Sequence, residues 1–187
     1  MSSAATPTLI RETFPVGPLQ CNCTIIGDPV TKKAIVVDPG GNPELIMARL
    51  EAHGLKVVSI IHTHAHLDHC GYVPKLVKDG FRGKIHTTEF TAKLAEVILM
   101  DSARIQTEDA KYAAKKGFSK HNPPKALYEE VDASRAVKLF SPEKFGTRIE
   151  IAEQTFVTFH PAGHILGAAF VEVEFFGKRL MFTGDLG

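Results

Sequence analysis

The stretch Thr63-His64-Ala65-His66-Leu67-Asp68-His69 directs the interpretation of this sequence, because it places four potential metal-binding side chains within six residues. It directly follows an apolar run at residues 57–61 that is typical of a buried strand. His64 and His66 are two positions apart, so an extended backbone directs both side chains to the same face. A solvated histidine-rich loop is the alternative. The chain holds nine histidines in all, so three of them beside an aspartate favour a metal site.

The donor types narrow the choice of metal. Neutral imidazole and carboxylate groups are ligands that zinc, iron and manganese accept. A helix would direct His64 and His66 to nearly opposite sides, so the spacing does not match the helical two-histidine zinc motif. Asp68 and His69 follow as an adjacent carboxylate and imidazole, which a turn can direct to a second point nearby.

The composition suits a globular protein and gives no strong indication of its partners. A length of 187 residues is enough for one domain with a buried core, and we assign residues 1–187 to a single domain. The formal net charge of +1 does not by itself favour nucleic acid. The chain has three cysteines and no secretory signal, which predicts reduced thiols and a cytoplasmic location. It also lacks an apolar run of the roughly 20 residues that a membrane span needs, which predicts no membrane partner.

The order of short periodic segments predicts a mixed α/β (α+β) fold. Strands are predicted at residues 9–16, 22–27, 34–37, 57–61 and 84–86, and again at 137–140, 147–151, 155–160, 168–176 and 179–182. Connections between the early elements are short, as in compact α/β units. The stretch Phe175-Phe176-Gly177-Lys178-Arg179 predicts a hairpin turn between the last two strands.

Two helices carry clear start signals. Asn42 is the predicted N-cap of the first helix, with Leu45, Ile46 and Leu50 as its buried face. Thr88 is the predicted N-cap of the second. The apolar stripe predicted for that helix consists of Phe90, Leu94, Val97, Ile98 and Met100. From residue 101 the pattern becomes polar, which predicts a helical excursion over about 101–135.

Two further candidate ligands follow late strands. His164 lies between two glycines after the strand at 155–160, and Asp185 follows the strand at 179–182. Taken alone, each is as easily explained as an ordinary loop or turn residue. The first cluster gives them a shared interpretation.

Together these residues resemble the metallo-β-lactamase superfamily. Its H-x-H-x-D-H motif matches His64, His66, Asp68 and His69, its next histidine matches His164, and its bridging acid matches Asp185. The resemblance implies an αββα sandwich with one or two metals at the edge of its sheets. It also implies that His64, His66 and His164 hold one metal, that Asp68 and His69 help to hold a second, and that Asp185 bridges them.

The resemblance is not uniform along the chain. Residues 9–69, with Cys21-Asn22-Cys23-Thr24, are similar to the glyoxalase II-like thioester hydrolases. Residues 68–187, with Ala162-Gly163-His164-Ile165-Leu166-Gly167-Ala168, are similar to the β-CASP nucleases, which process RNA. The change falls inside the motif that both groups share. It predicts a chimera, natural or engineered, joined at the histidine cluster.

Superfamily members continue past the bridging aspartate and supply a last histidine to the second metal. This sequence stops at Gly187, and His86, His121 and His160 do not stand in the position of that ligand. We therefore expect an incomplete C-terminal part of the fold. Either the second site is weak and open, or another chain completes it, for example in a homodimer.

The resemblance favours a hydrolase with a dinuclear zinc site whose metal-bound hydroxide attacks a phosphodiester of RNA. Iron or manganese could replace zinc, and Asp68 could both bind metal and orient the nucleophile. Two alternatives remain open: hydrolysis of a small ester or thioester, as in the glyoxalase II-like enzymes, and a truncated or engineered metal-binding scaffold with little activity. Five lysines could contact RNA phosphates: Lys111, Lys115, Lys116, Lys120 and Lys125. Acidic residues lie near them in the sequence, so a solvated helix face is an equally good interpretation.

Overall fold

Across the residues that the computed structural model describes, 8–119, 123–175 and 177–187, two β-sheets pack face to face. The larger sheet has six strands in sequence order: β1 (Ile10–Val16), β2 (Cys21–Gly27), β3 (Lys33–Val37), β4 (Lys56–Ile61), β5 (Lys84–Thr88) and β6 (Phe140–Glu143). The first three pair antiparallel, and the pairs from β3 to β6 are parallel. This parallel half directs successive strand ends to one edge of the sheet.

The smaller sheet is wholly antiparallel. Its strands are β7 (Ile149–Ala152), β8 (Thr155–Pro161), β9 (Ala169–Phe175) and β10 (Lys178–Phe182), in the spatial order β10-β9-β8-β7. Residues of β9 alternate strictly between buried and half-buried, as expected for a strand with one face on the core. By contrast, β3 is buried from its second residue to its last, because helices cover the other face of its sheet.

Helices occupy the connections of the larger sheet. They are α1 (Pro43–Ala52), α2 (Leu67–Cys70), α3 (Val73–Lys78), α4 (Glu89–Lys116) and α5 (Glu130–Val137). Ile46 of α1 and Leu76 of α3 pack on the face of the larger sheet that points away from the smaller one. No described helix combines the length and the apolar composition that crossing a bilayer requires.

Two apolar layers hold the sheets and helices together. Between the sheets, Ile35 and Ile61 of the larger sheet meet Phe159 and Val171 of the smaller one, and all four are at most 2% exposed. Burial of such side chains contributes about 1.5–3 kcal/mol each. Packing of the sheets therefore sets the distance between loops that leave them at the same edge.

The predicted fold class is confirmed, with three corrections to local detail. The strand predicted at 137–140 is wrong, because Val137 still belongs to α5 and β6 begins at Phe140. Leu45 is 37% exposed and does not join the buried face of α1. Asn42 precedes α1 as predicted, but its side chain accepts a hydrogen bond from the Gly17 N–H (2.7 Å) and does not cap the helix.

The predicted helical excursion is partly right. The residues from 89 to 116 form one continuous helix, so α4 begins well before residue 101, and α5 extends to residue 137. Residues 120–122, including Lys120 and His121, lie outside the described residues, as does residue 176 of the strand predicted at 168–176. Within the described residues, the helices lie on the larger sheet, and Phe156 and Phe170 on the outer face of the smaller sheet remain half-buried.

The stripe predicted for α4 is partly right, because Leu94, Ile98 and Met100 are half-buried and pack against the core. Phe90 and Val97 are 46% and 64% exposed, whereas Leu99 is fully buried beside Ala95 and Ala103. Small side chains on this face let α4 approach α5 and α2 closely. The most deeply buried face of the helix is thus centred on Ala95, Leu99 and Ala103, and the predicted stripe overlaps it only in part.

Leu99→Ala and Val97→Ala form a matched pair that tests this packing. Leu99→Ala should lower the free energy of unfolding by about 2–5 kcal/mol, because it removes buried methyl groups and leaves a cavity. Val97→Ala should change it by no more than about 0.5 kcal/mol, as at other exposed positions. Urea denaturation measures both free energies of unfolding. If Val97→Ala lowered the free energy of unfolding more than Leu99→Ala, the observed burial of the Leu99 face of α4 would be contradicted.

Candidate metal centre

The candidate site lies where strands of both sheets end at one edge. Asp38 follows β3, and the histidine cluster follows β4 and runs into α2. His164 lies in the loop between β8 and β9, and Asp185 follows β10. Six side chains separated by up to 121 positions in sequence are brought together here, and they are those predicted: His64, His66, Asp68, His69, His164 and Asp185.

Three imidazole nitrogens converge on one point. His66 Nδ1 lies 3.0 Å from His64 Nε2 and 3.2 Å from His164 Nε2. Asp185 Oδ2 lies 3.9 Å from the His64 nitrogen and 3.7 Å from the His164 nitrogen. Two nitrogens that each bind zinc at about 2.0–2.1 Å with tetrahedral geometry would be roughly 3.3 Å apart. The donor types and their spacing therefore fit one metal ion held by three histidines.

A second group of donors faces the same aspartate. His69 Nε2 lies 3.5 Å from Asp185 Oδ1 and 3.7 Å from Asp68 Oδ2. One oxygen of Asp185 thus faces the three histidines, while its other oxygen faces His69. Asp185 is about half exposed and His69 is buried. The arrangement offers a second group of metal donors beside the first, with Asp185 placed between them.

The buried carboxylate of Asp38 orients His69. It accepts hydrogen bonds from the Thr63 N–H (2.9 Å) and the Thr63 hydroxyl (2.7 Å), and it contacts His69 Nδ1 at 3.1 Å. Donation from Nδ1 leaves Nε2 of His69 directed at Asp68 and Asp185. A carboxylate that holds the second nitrogen of a metal-binding histidine is a common way to fix its orientation.

Asp38 was not among the residues predicted for the site. In the sequence it ends a strand within Asp38-Pro39-Gly40-Gly41 and has the composition of an ordinary turn. Its backbone φ of 49° is unusual for a residue with a side chain. The one available signal was an aspartate directly after a wholly apolar strand, which places a charge at the end of a buried element.

Burial and hydrogen bonding give the site histidines different proton affinities. Burial lowers the pKa of His64 to about 4, so this ring is neutral near pH 7 and has a lone pair for a metal. Burial also lowers the pKa of His69, but the hydrogen bonds to Asp38 and Cys21 outweigh it and raise the pKa to about 10. Metal binding at His69 would therefore have to release a proton.

Close backbone contacts hold the site loops together. A Cβ atom on Gly40 would lie 1.4 Å from the Asp68 carbonyl oxygen, and one on Gly184 would lie 2.6 Å from Thr63 Oγ1. The Ala169 N–H donates to the Thr63 carbonyl oxygen at 2.9 Å, which ties the start of β9 to the histidine cluster. Asp68 and Asp185 therefore take positions that bulkier neighbours would not allow.

The other described histidines lie outside the cluster. His62 is fully buried with its ring edge towards Phe140, and neither ring nitrogen has a hydrogen-bond partner among the described residues. It therefore does not hydrogen-bond to any of the metal-binding histidine candidates. His86 contacts Glu143 at 3.0 Å, and His160 stacks on Phe170. His53, which was not considered in the sequence analysis, pairs with Glu12.

Known proteins share both the sequence pattern and the fold. Ribonuclease TTHA0252 from Thermus thermophilus is 30% identical over 132 residues, which are 71% of this chain and 26% of that one. Transcription termination factor FttA from Methanococcus maripaludis is 29% identical over 187 residues, covering 95% of this chain and 27% of the relative. This chain thus spans about a quarter of the length of these two relatives, and the second alignment crosses the junction of the predicted chimera.

A solved structure supports the fold independently of close sequence similarity. The crystal structure of TTHA1623 in a di-iron-bound form has a TM-score of 0.52 and 23% identity, covering 89% of this chain and 66% of the other. The profile of the metallo-β-lactamase superfamily matches residues 16–187 and therefore includes every residue of the candidate site. On this match and on the two-sheet architecture, the chain belongs to the metallo-β-lactamase superfamily.

Proposed function

We propose that this chain is a metal-dependent hydrolase that cleaves phosphodiester bonds in RNA. One observation carries the proposal: the two oxygens of Asp185 face two separate groups of donors, three histidines on one side and His69 with Asp68 nearby on the other. His64, His66 and His164 would hold one ion. Asp68 and His69 would help to hold a second, and Asp185 would bridge the two. Zinc suits these donors, and iron or manganese would also be accepted.

The chemistry follows from the donors and their surroundings. A bound metal pair would supply a nucleophile from water near neutral pH and would polarise the oxygen of the scissile group. Asp68 is partly exposed, with its Oδ2 3.7 Å from His69 Nε2, and can accept a proton from the attacking water. Asp38 keeps His69 oriented while that proton moves. The deep burial of His64 limits its motion during the reaction.

We propose RNA as the substrate for two reasons, which are the names of the relatives and the motifs in the later part of the sequence. One relative is named a ribonuclease, and residues 68–187 carry the motifs that resemble β-CASP nucleases. The matches cover only about a quarter of the two relatives, so the chemistry can be assigned to these residues with more support than the choice of RNA. Single-domain organisation over residues 1–187, the chimeric origin, the homodimer and the cytoplasmic location stay predictions.

A second candidate function is thioester hydrolysis. It is favoured by residues 9–69, whose motifs resemble the glyoxalase II-like enzymes. The same metal chemistry serves both substrates, so the ligands do not discriminate between them. An inert metal-binding scaffold is the third hypothesis.

Replacement of a central ligand tests the hydrolase proposal. His64→Ala should remove at least one metal ion per chain and reduce hydrolysis of single-stranded RNA by at least about 1,000-fold, since the nucleophile and the polarising charge are both lost. Elemental analysis gives the metal content, and a gel assay gives the rate. A glutathione thioester, assayed with the same preparations, tests the second candidate.

His160→Ala is the matched control, because His160 lies on β8 and stacks on Phe170 outside the cluster. It should keep full metal content and activity. If the metal-loaded wild-type chain cleaves neither RNA nor the thioester, the hydrolase proposal is wrong and the inert scaffold is favoured. If it cleaves the thioester alone, the second candidate replaces the first.

Asp38→Asn tests how the site is oriented. Loss of the carboxylate should weaken binding of the second metal by about 10–100-fold, because His69 loses the group that fixes its ring. The pKa of His69 should fall as well, since contact with Asp38 raises it. Calorimetric zinc titration measures the affinity, and NMR titration of the metal-free protein measures the pKa.

Asp28→Asn supplies the control for charge and burial. Asp28 is also buried, but it accepts hydrogen bonds from Val30 and Thr31 at the β2–β3 turn, away from the cluster. Zinc affinity should be unchanged in this variant. Equal losses in the two variants would show that the effect of Asp38→Asn arises from general destabilisation.

A further inference from the structure

A groove of about 570 Å³ opens beside Asp68 and contains none of the clustered histidines. Its volume lies within the roughly 300–1,000 Å³ of small-molecule sites. Its walls include the β1–β2 loop, α2 and one side of α4. Six of the side chains that line it are Leu19, Leu67, Tyr72, Gln106, Lys125 and Leu127. Because Asp68 lines this groove and also faces His69, any molecule in the groove lies next to the candidate reaction centre.

One wall of the groove is held rigid by its own hydrogen bonds. Tyr128 and Gln106 both donate to Ser102 Oγ, at 3.0 and 3.1 Å. Gln106 Oε1 accepts from the Leu127 N–H at 3.2 Å. The polar atoms of this wall therefore satisfy one another, and the groove is preorganised before a ligand enters.

The remaining surface of the groove is apolar and aromatic. Leu19 is 74% exposed and Leu67 is 46% exposed, although both are large apolar side chains. Tyr72 lines the same space and is half-buried. Single exposed leucines are common on proteins. Two of them, together with a tyrosine at the mouth of a reaction centre, provide a surface on which a flat aromatic ring can pack.

Lys125 adds one positive charge to this groove. Among the residues that the structure describes, it has no carboxylate partner. Lys111 differs, because it lines a separate groove between α4 and α5 in which three glutamates outnumber Lys111 and Arg104: Glu108, Glu129 and Glu130. A phosphate would therefore be attracted to Lys125, whereas the acidic neighbours of Lys111 oppose phosphate binding there.

We propose that this groove binds the nucleotide adjacent to the scissile phosphodiester of single-stranded RNA. Its base packs against Leu19 and Tyr72, and a flanking phosphate contacts Lys125. An unpaired strand is required, because a base can pack on Tyr72 only after leaving its duplex stack. This inference rests on the proposed RNA hydrolysis and extends it by assigning substrate-positioning residues outside the metal centre. An apolar acyl chain could also pack on the leucines, but it would have no use for the charge of Lys125.

Binding of a cleavage-resistant strand tests the groove separately from catalysis. A fluorescein-labelled, phosphorothioate-linked oligouridylate of ten nucleotides is titrated with the metal-loaded full chain, and fluorescence anisotropy gives the Kd. Tyr72→Ala should raise the Kd roughly 5- to 50-fold, because base stacking is lost. Tyr72→Phe should stay within about twofold of wild type, because the ring remains. This variant also controls for misfolding.

Lys125→Ala should raise the Kd about three- to tenfold and reduce the slope of log Kd against log salt concentration by about 0.7, the value for one phosphate of a single strand. Lys111→Ala is the matched control and should change neither quantity. An unchanged Kd in both Tyr72→Ala and Lys125→Ala would overturn the proposal. An equal loss of affinity for the oligonucleotide in Lys125→Ala and Lys111→Ala would overturn it too, since it would indicate a general attraction of the strand to basic side chains.

A separate assay tests the proposed hydrolytic function itself. Hydrolysis of bis(p-nitrophenyl) phosphate by the wild-type chain reports phosphodiesterase chemistry on a substrate that needs no RNA recognition. Absence of this reaction would count against the proposed phosphodiesterase, while the anisotropy titrations test binding in the groove. A Tyr72→Ala variant that loses affinity for an acyl glutathione thioester but keeps its Kd for RNA would identify the groove as an acyl site and overturn the assignment to RNA.

Discussion

The hydrogen bonds of the Asp38 carboxylate are the interaction on which the candidate site depends. A buried carboxylate is costly unless charged or hydrogen-bonding partners compensate for the lost water. Here the backbone and hydroxyl of Thr63 donate to it, and His69 Nδ1 lies 3.1 Å away. Burial alone would raise the pKa of Asp38, yet these partners lower it, so the group remains a carboxylate. Its negative charge joins the end of β3 to the loop after β4 and to α2.

Thr63 extends this connection to the second sheet. Its side chain donates to Asp38, its carbonyl oxygen accepts from Ala169 at the start of β9, and Gly184 packs closely against its side chain. One residue therefore links the loops that carry His64, His164 and Asp185. The apolar layer between the sheets brings these loops near each other, and the polar contacts around Thr63 determine their final positions. These contacts place the Nε2 atoms of His64 and His164 at 3.0 and 3.2 Å from His66 Nδ1.

The sequence was most informative where chemistry was concentrated. Four donors lie between His64 and His69, and their spacing predicted both a metal site and an extended path for the first two. His164 and Asp185 could be added only through the family pattern, because neither differs locally from a turn residue. Asp38 was missed for the same reason: its role depends on partners that are 25 and 31 positions away. Hydrogen bonds between distant residues leave no local periodicity to detect.

The helix α4 shows a different limit of sequence patterns. Its most hydrophobic stripe includes Val97, which is exposed, whereas its contact face relies on Ala95, Leu99 and Ala103. Periodicity identifies a helix because it reports side-chain spacing, but the buried face depends on what packs against it. A close approach requires small side chains, and these have a weak hydrophobic signal.

This close approach has a consequence for the site. The segment from Leu127 to Tyr128 can reach α4 because the alanine face lets α5 lie near the helix. Tyr128 then donates to Ser102, and Gln106 accepts from Leu127, so the face of α4 that packs against this segment also forms the groove wall. The proposed metal ligands would determine which chemistry is available, and one such set of ligands can serve many substrates within a superfamily. If the groove binds substrate as proposed, the position of α4 relative to Asp68 would determine which molecules reach that chemistry, and substrate choice would depend on helix packing as much as on the metal ligands.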